Sequence, residues 1–363
     1  MHVFNFLIFG VQSWVVQTVH AASPNGPPGS NVFDIFDVDQ SCVSRDLQKL
    51  VNEATEMAYA GSLIVNQGAT GQSLPGVAYL YGLFGAAAAP DDEGTRPKDF
   101  STLQTCFQRT LNFLAYGVQP SGNVFNGKTV KPRLYCDDSS FQHQARQAQA
   151  TQLDGQLATD GNGDPLSIEL VYSSDFLDFI EKNAAFPEPH LVNIPQTSDH
   201  PAFSQYIFTD RAQLCAPGRY GQTFRAQTHS GGENPVPIIL LCPDCFSYGN
   251  SPSLGFSAPT YVGQSLDDFL PKGTNTFLHE LFHFAPWWPS ANAIFTGDPA
   301  YPQKDDLAGV TTLLYDKAST NAQSYVYFGL AAWYSLYKPA NINGQSQTLV
   351  FNNGYGEILY EGP

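Results

Sequence analysis

Basic residues are scarce in this chain. Seventeen Lys and Arg stand against 33 Asp and Glu, a formal net charge of −16. With no basic patch and no basic low-complexity tail, a nucleic-acid partner is not expected. Charge of either sign is sparse, at 14% of 363 residues, whereas aromatics make up 13%. That much apolar surface excludes an intrinsically disordered chain. Long apolar runs are missing as well. The nearest, residues 3–16, is short and is interrupted by Gln12 and Ser13, so no stable membrane insertion is expected. There is no internal repeat, no linker that splits the chain and no Asn-x-Ser/Thr sequon.

The N-terminus instead has the pattern of a removable export signal. Residues 1–21 combine the apolar stretch with Val19-His20-Ala21, which offers small-residue cleavage positions before Ala22. They depart from the usual pattern in having no Lys or Arg ahead of the apolar segment. A secreted, extracellular protein is therefore expected. Residues 22–40, rich in Pro, Gly and Ser, are read as an extended lead-in or part of a propeptide. Residues 41–340 are read as one domain, and 341–363, rich in Asn and Gly, as a peripheral tail. All six cysteines follow the signal: Cys42, Cys106, Cys136, Cys215, Cys242 and Cys245. In an exported chain this suggests up to three disulfides, with pairing open. Cys242-Pro-Asp-Cys245 has no second pair at matching spacing, so disulfide cysteines are preferred there over a metal knuckle.

Periodicity predicts helices over 42–65, 100–116, 174–184, 305–319 and 321–337, and strands over 133–136, 166–172 and 235–242. Residues 187–201 read as a loop in which His190 and His200 take ordinary surface or core roles. Asp160-Gly-Asn-Gly-Asp164 hints at calcium, but Pro165 stands where a calcium loop wants Gly. A solvated turn is the preferred reading.

The chemistry concentrates in residues 273–286, GTNTFLHELFHFAP. His279-Glu280-Leu281-Phe282-His283 is an H-E-x-x-H pattern. A chance match in a chain of this composition has odds of roughly one in two hundred. Histidines four apart lie on nearly one helix face, so both imidazoles can reach one ion. Zinc is the expected ion, because it takes neutral imidazole and needs three protein ligands in a catalytic site. Glu280 follows the first histidine, where its carboxylate can act as general base on a water. Thr274-Asn275 is expected to cap this helix and Pro286 to close it. The bland alternative is a core helix whose histidines bond to backbone.

The third ligand must lie downstream. Pro286 and Pro289 occupy the positions where an extended three-histidine pattern needs Gly and His. The only downstream glutamates, Glu357 and Glu361, sit near the C-terminus. Four aspartates remain: Asp298, Asp305, Asp306 and Asp316.

Over about residues 235–334 the chain resembles the deuterolysin-like zinc endopeptidases (aspzincins), especially secreted fungal proteins with a lysine-specific metalloendopeptidase-like domain. The resemblance rests on the apolar strand ending Leu240-Leu241-Cys242-Pro243 and on H-E-x-x-H. It rests also on Asp305-Asp306-Leu307-Ala308-Gly309 against that family's G-T-x-D-x-x-Y-G, and on Asn321-Ala322-Gln323-Ser324-Tyr325 against its N-A-D-S-Y. It implies an α+β, zincin-like fold, with a small sheet packed on helices around an active-site helix. It also implies zinc held by His279, His283 and an aspartate. Asp305 is preferred in the register that aligns Gly309, Asp298 comes second and Asp306 third. Ala308 stands where the family has Tyr. Tyr301, or a tyrosine nearer the later helices, is the candidate to support the oxyanion. The implied activity is a monomeric secreted endopeptidase acting on protein or peptide substrates. The alternative is a secreted zinc-binding or antigen-like protein of the same fold with little or no peptidase activity.

Overall fold

The computed structural model describes residues 26–69, 83–84, 100–119, 124–125, 128–183, 185–198, 200–224, 236–246, 253–256, 264–286, 307–311, 313, 315–338, 340–342, 345–347, 349–352 and 355–358. The fold is α+β. A four-stranded sheet is built from β1 (Asp37–Val38), β2 (Arg133–Tyr135), β6 (Gly221–Phe224) and β7 (Ile238–Leu241), in the order β1-β2-β7-β6. The first three strands in that order run parallel, and β6 pairs antiparallel with β7. A three-stranded antiparallel sheet joins β3 (Phe141–His143), β4 (Glu188–Ile194) and β5 (Phe203–Thr209). The principal helices are α1 (Leu47–Ala69), α2 (Phe100–Tyr116), α3 (Ser173–Asn183), α4 (Lys272–Phe284) and α5 (Ala322–Tyr337).

The period-two geometry of β2 and β7 explains the layering. Leu134, Ile239 and Leu241 join the large core formed with α1, α2, α4 and α5. The alternate residues Tyr135, Ile238 and Leu240 face a second core shared with Phe141, Val192 and Phe203 of the other sheet. Covered on both faces, β7 reads Ile-Ile-Leu-Leu rather than alternating with polar residues. On α1 the buried positions Leu47, Leu50, Val51, Ala54, Met57 and Ala58 recur at helical spacing. At Gly61 a side chain would meet Phe107 at 2.3 Å, so the glycine sets the close approach of α1 to α2.

Helix α4 lies at the centre of the large core. Phe277 packs near Phe36, Phe282 near Phe107 and Tyr325, and Phe284 near Phe113, with ring centroids 5.0–6.0 Å apart. Its C-terminal end is tied to α2 through Arg109, whose guanidinium donates to the Pro286 carbonyl at 2.9 Å.

Two disulfides form among the described residues, Cys42–Cys136 and Cys215–Cys242, an arrangement compatible with an oxidising, exported environment. Cys106 and Cys245 are buried thiols. The disulfide reading of the Cys-Pro-Asp-Cys segment therefore holds for Cys242 and fails for Cys245. No described helix is long and apolar enough to cross a membrane.

Several local expectations are corrected. Residues 166–172 do not form a strand. Ser167 caps a short helix, Ile168–Val171, by accepting from the Leu170 amide, so the local cap outweighs the alternating pattern. The expected loop at 187–201 contains β4, whose seven residues all pair with β5. From Pro189 to Val192 it is buried on both faces, and Pro189 lies near its start, so it shows neither alternation nor uninterrupted strand propensity. The helix expected over 305–319 appears as two short pieces, Leu307–Val310 and Tyr315–Ala318. The preferred reading of Asp160 as a turn holds: it accepts from the Asp164 and Asn162 amides, and these bonds keep its carboxyl below the usual range.

Candidate metal centre

The H-E-x-x-H segment lies within α4, as its spacing requires, but its N-terminus is not capped as expected. The helix begins at Lys272 after Pro271, with no side-chain cap. The hydroxyl of Thr274 donates to Glu53 on α1, and Asn275 accepts from Gln323 on α5. Tertiary partners have taken the polar groups that a local cap would use.

His279 and His283 converge. Their Nε2 atoms are 3.1 Å apart and their rings are nearly perpendicular. Two ligand nitrogens at about 2.0–2.1 Å from a tetrahedral ion would be separated by about 3.3–3.4 Å. The pair therefore fits a zinc-type donor set to within a few tenths of an ångström. The other ring nitrogen of His279, Nδ1, lies 2.8 Å from Gln323 Oε1. An amide oxygen can only accept, so Nδ1 carries the proton and Nε2 presents its lone pair toward His283. Both His279 and Gln323 are buried.

Glu280 is 5% exposed, which makes its carboxylate costly unless it is bonded. The bond comes from β6. The Thr223 hydroxyl lies 2.7 Å from Glu280 Oε2 and 3.0 Å from the Glu280 carbonyl oxygen. At Gly221, two residues earlier on the same strand, a Cβ would stand 2.9 Å from Glu280 Oε1. The carboxylate thus lies against β6, the end strand of the four-stranded sheet among the described residues.

Beneath the helix, the Cys245 thiol faces the Gly273 carbonyl at 3.8 Å. Burial pushes this thiol up to about 12, so it stays protonated at neutral pH and supplies no thiolate ligand. With Cys242 in a disulfide, the Cys-x-x-Cys spacing is not a metal knuckle.

Of the residues expected at the site, His279, Glu280 and His283 are brought together. Asp305, Tyr301 and the alternatives Asp298 and Asp306 lie outside the described residues. Among the described residues no group of three or more His, Cys, Asp or Glu is arranged to hold a metal ion. Asp316 belongs to the short helix Tyr315–Ala318. On α5 the Tyr325 hydroxyl donates to the Ser319 carbonyl and that of Tyr327 to Asp267, so both phenols have partners away from the two histidines. His190 and His200 are buried, bonded to the Arg211 and Pro201 carbonyls respectively.

Three partners were not anticipated from the motif: Gln323, Thr223 and Gly221. Gln323 carried a signal, as a polar residue opening an otherwise apolar helix. Thr223 and Gly221, 57 and 59 positions before Glu280 in sequence, carried none. In comparisons with known proteins the chain matches no family model, no curated protein and no solved structure.

Proposed function

We propose that this chain is a secreted zinc endopeptidase with a zincin-like fold. The observation that supports it most is the convergence of the His279 and His283 Nε2 atoms, 3.1 Å apart, beside a buried glutamate held against an end strand. His279 and His283 would hold the ion, with the third ligand sought among Asp305, Asp298 and Asp306. When bound, zinc supplies Lewis acidity and lowers the pKa of a water.

The remaining work falls to the chain itself. Strand β6, at the end of the sheet among the described residues, would offer its outer backbone edge to an extended peptide, which would add as a further strand. Glu280 accepts a proton from the attacking water and delivers it to the nitrogen of the departing amine as the C–N bond breaks. Thr223 holds Oε2 in place, so the carboxylate need not search for its orientation during the reaction. The closeness of Gly221 to Oε1 brings the base beside the strand on which the scissile bond would lie.

The test is direct. Purified protein and Glu280→Gln are compared for zinc content and for cleavage of a denatured protein substrate. The expected result is one zinc per chain in both, with cleavage by wild type and a loss of about 100-fold or more in the variant. Wild type that holds zinc and cleaves nothing, after removal of any propeptide, would refute the enzyme and leave a zinc-binding protein of the same fold. Wild type that holds no zinc would refute both readings.

A further inference from the structure

Asn275, His279 and His283 stand at four-residue steps along α4 and so share one face of the helix. Gln323, in the first turn of α5 and 3% exposed, reaches across to that face. Its two amide atoms have different partners. Oε1 lies 2.8 Å from His279 Nδ1, and Nε2 donates to Asn275 Oδ1 at 3.2 Å. With Asn275 Oδ1 turned toward Gln323, the second bond fixes the sense of the first. If the amide turned over, its NH2 would face Nδ1, which would then have to accept. The ring proton would move to Nε2, and the lone pair directed at His283 would be lost.

We propose that Gln323, oriented by Asn275, is a positioning residue that keeps His279 in the Nδ1–H tautomer and so makes its Nε2 available as a metal ligand. The acceptor is a neutral amide, so the ring is oriented without a second negative charge being buried beside Glu280. The cost of burying such a charge unpaired is thereby avoided. The tautomer assignment stands on the hydrogen bonds alone, whereas its consequence for zinc rests on the function proposed above.

Zinc-free full-length protein labelled with 15N-histidine is studied at about pH 8, where imidazole is neutral. Long-range 1H–15N spectra are expected to show His279 with a protonated Nδ1 and an unprotonated Nε2. Gln323→Met keeps the length of the side chain and removes the acceptor. It should lose the single-tautomer signature and weaken zinc binding, measured by chelator competition, by about 10–100-fold. Gln323→Glu retains an acceptor and should keep the Nδ1–H tautomer, with zinc affinity at or above that of wild type. Asn275→Ala, which removes only the group orienting the amide, should populate both tautomers, and it carries the test if Gln323→Met does not fold. A single Nδ1–H tautomer in Gln323→Met, or in Asn275→Ala where that variant carries the test, would overturn the proposal and leave Gln323 a packing residue. Wild type with the expected tautomer but no zinc affinity would sink the peptidase reading and the ligand role with it, and leave the tautomer assignment standing.

Discussion

Replacing Gly221 with alanine measures how closely β6 is laid on α4. The added methyl would stand 2.9 Å from Glu280 Oε1, 2.9 Å from Thr276 Cγ2 and 3.0 Å from Glu280 Cγ. Carbon contacts relax only at about 3.5–4.0 Å, so about half an ångström or more must be found on two sides at once. Thr276 is β-branched and buried, with little freedom to turn. β6 is held by its pairing with β7 from Gly221↔Leu241 to Phe224↔Ile238. Glu280 is the group able to move, and moving it strains its bond to Thr223. Overpacking of this kind costs about 1–3 kcal/mol, or about 1–4 °C in Tm for a chain of this size. A displacement approaching 1 Å at Glu280, the proposed general base, should lower kcat/KM by about 10–100-fold. Zinc affinity should be unchanged, because the new methyl's nearest neighbours include neither histidine. Gly161→Ala is the control: nothing lies within 4 Å of that position, and its stability should stay within about 0.5 kcal/mol of wild type. Differential scanning calorimetry and a quenched-peptide assay on the two variants decide the matter. Wild-type Tm and wild-type turnover in Gly221→Ala would refute the close packing of strand on helix.

Two further outcomes follow from the fold. Cys42–Cys136 closes a loop of 94 residues between the start of α1 and β2, whereas Cys215–Cys242 closes one of 27. In the chain-entropy account these contribute about 4.7 and about 3.6 kcal/mol. Cys42→Ser should therefore lower the urea midpoint more than Cys215→Ser does, and the reverse order would contradict the loop-length argument. His190 is held below its ordinary value of 6.5, chiefly by burial. The unfolded chain therefore takes up a proton before the folded one does. The stability linked to this residue is complete above about 6.5 and is lost as pH falls toward the lowered folded value. Urea titrations on either side of that range should show a fall in wild type that is smaller in His190→Gln, and equal falls would remove His190 as the cause.

Much of this could be read from the sequence, and the reasons are local. Helix α2 and the body of α1 announce themselves by periodic apolar residues, and β7 by a short apolar run bounded by prolines and a cysteine. The two histidines and Glu280 share a helix, so four-residue spacing alone predicts that the imidazoles meet. The strand β4 was missed because two-sided burial erases alternation. The capping of α4 was misjudged because Thr274 and Asn275 bond to α1 and α5 rather than to their own helix. Gln323 and Thr223 reach the site through tertiary contact, 44 and 57 positions from their partners; the polar position of Gln323 on an apolar helix marks it as unusual, but no pattern of neighbouring residues encodes the partner of either.

The suspension of the site between β6, α4 and α5 has a temporal consequence. Its polar partners span 100 positions of sequence, from Thr223 to Gln323. No shorter piece of chain contains the carboxylate, its hydroxyl donor and the amide that orients the imidazole. Contacts of that separation close late, because the entropy of bringing distant segments together must be met before they contribute. A nascent or partly folded chain therefore carries the motif without the arrangement. Whatever chemistry the finished site performs is withheld until β6, α4 and α5 have come together, a safeguard set by the order of folding rather than by an inhibitor.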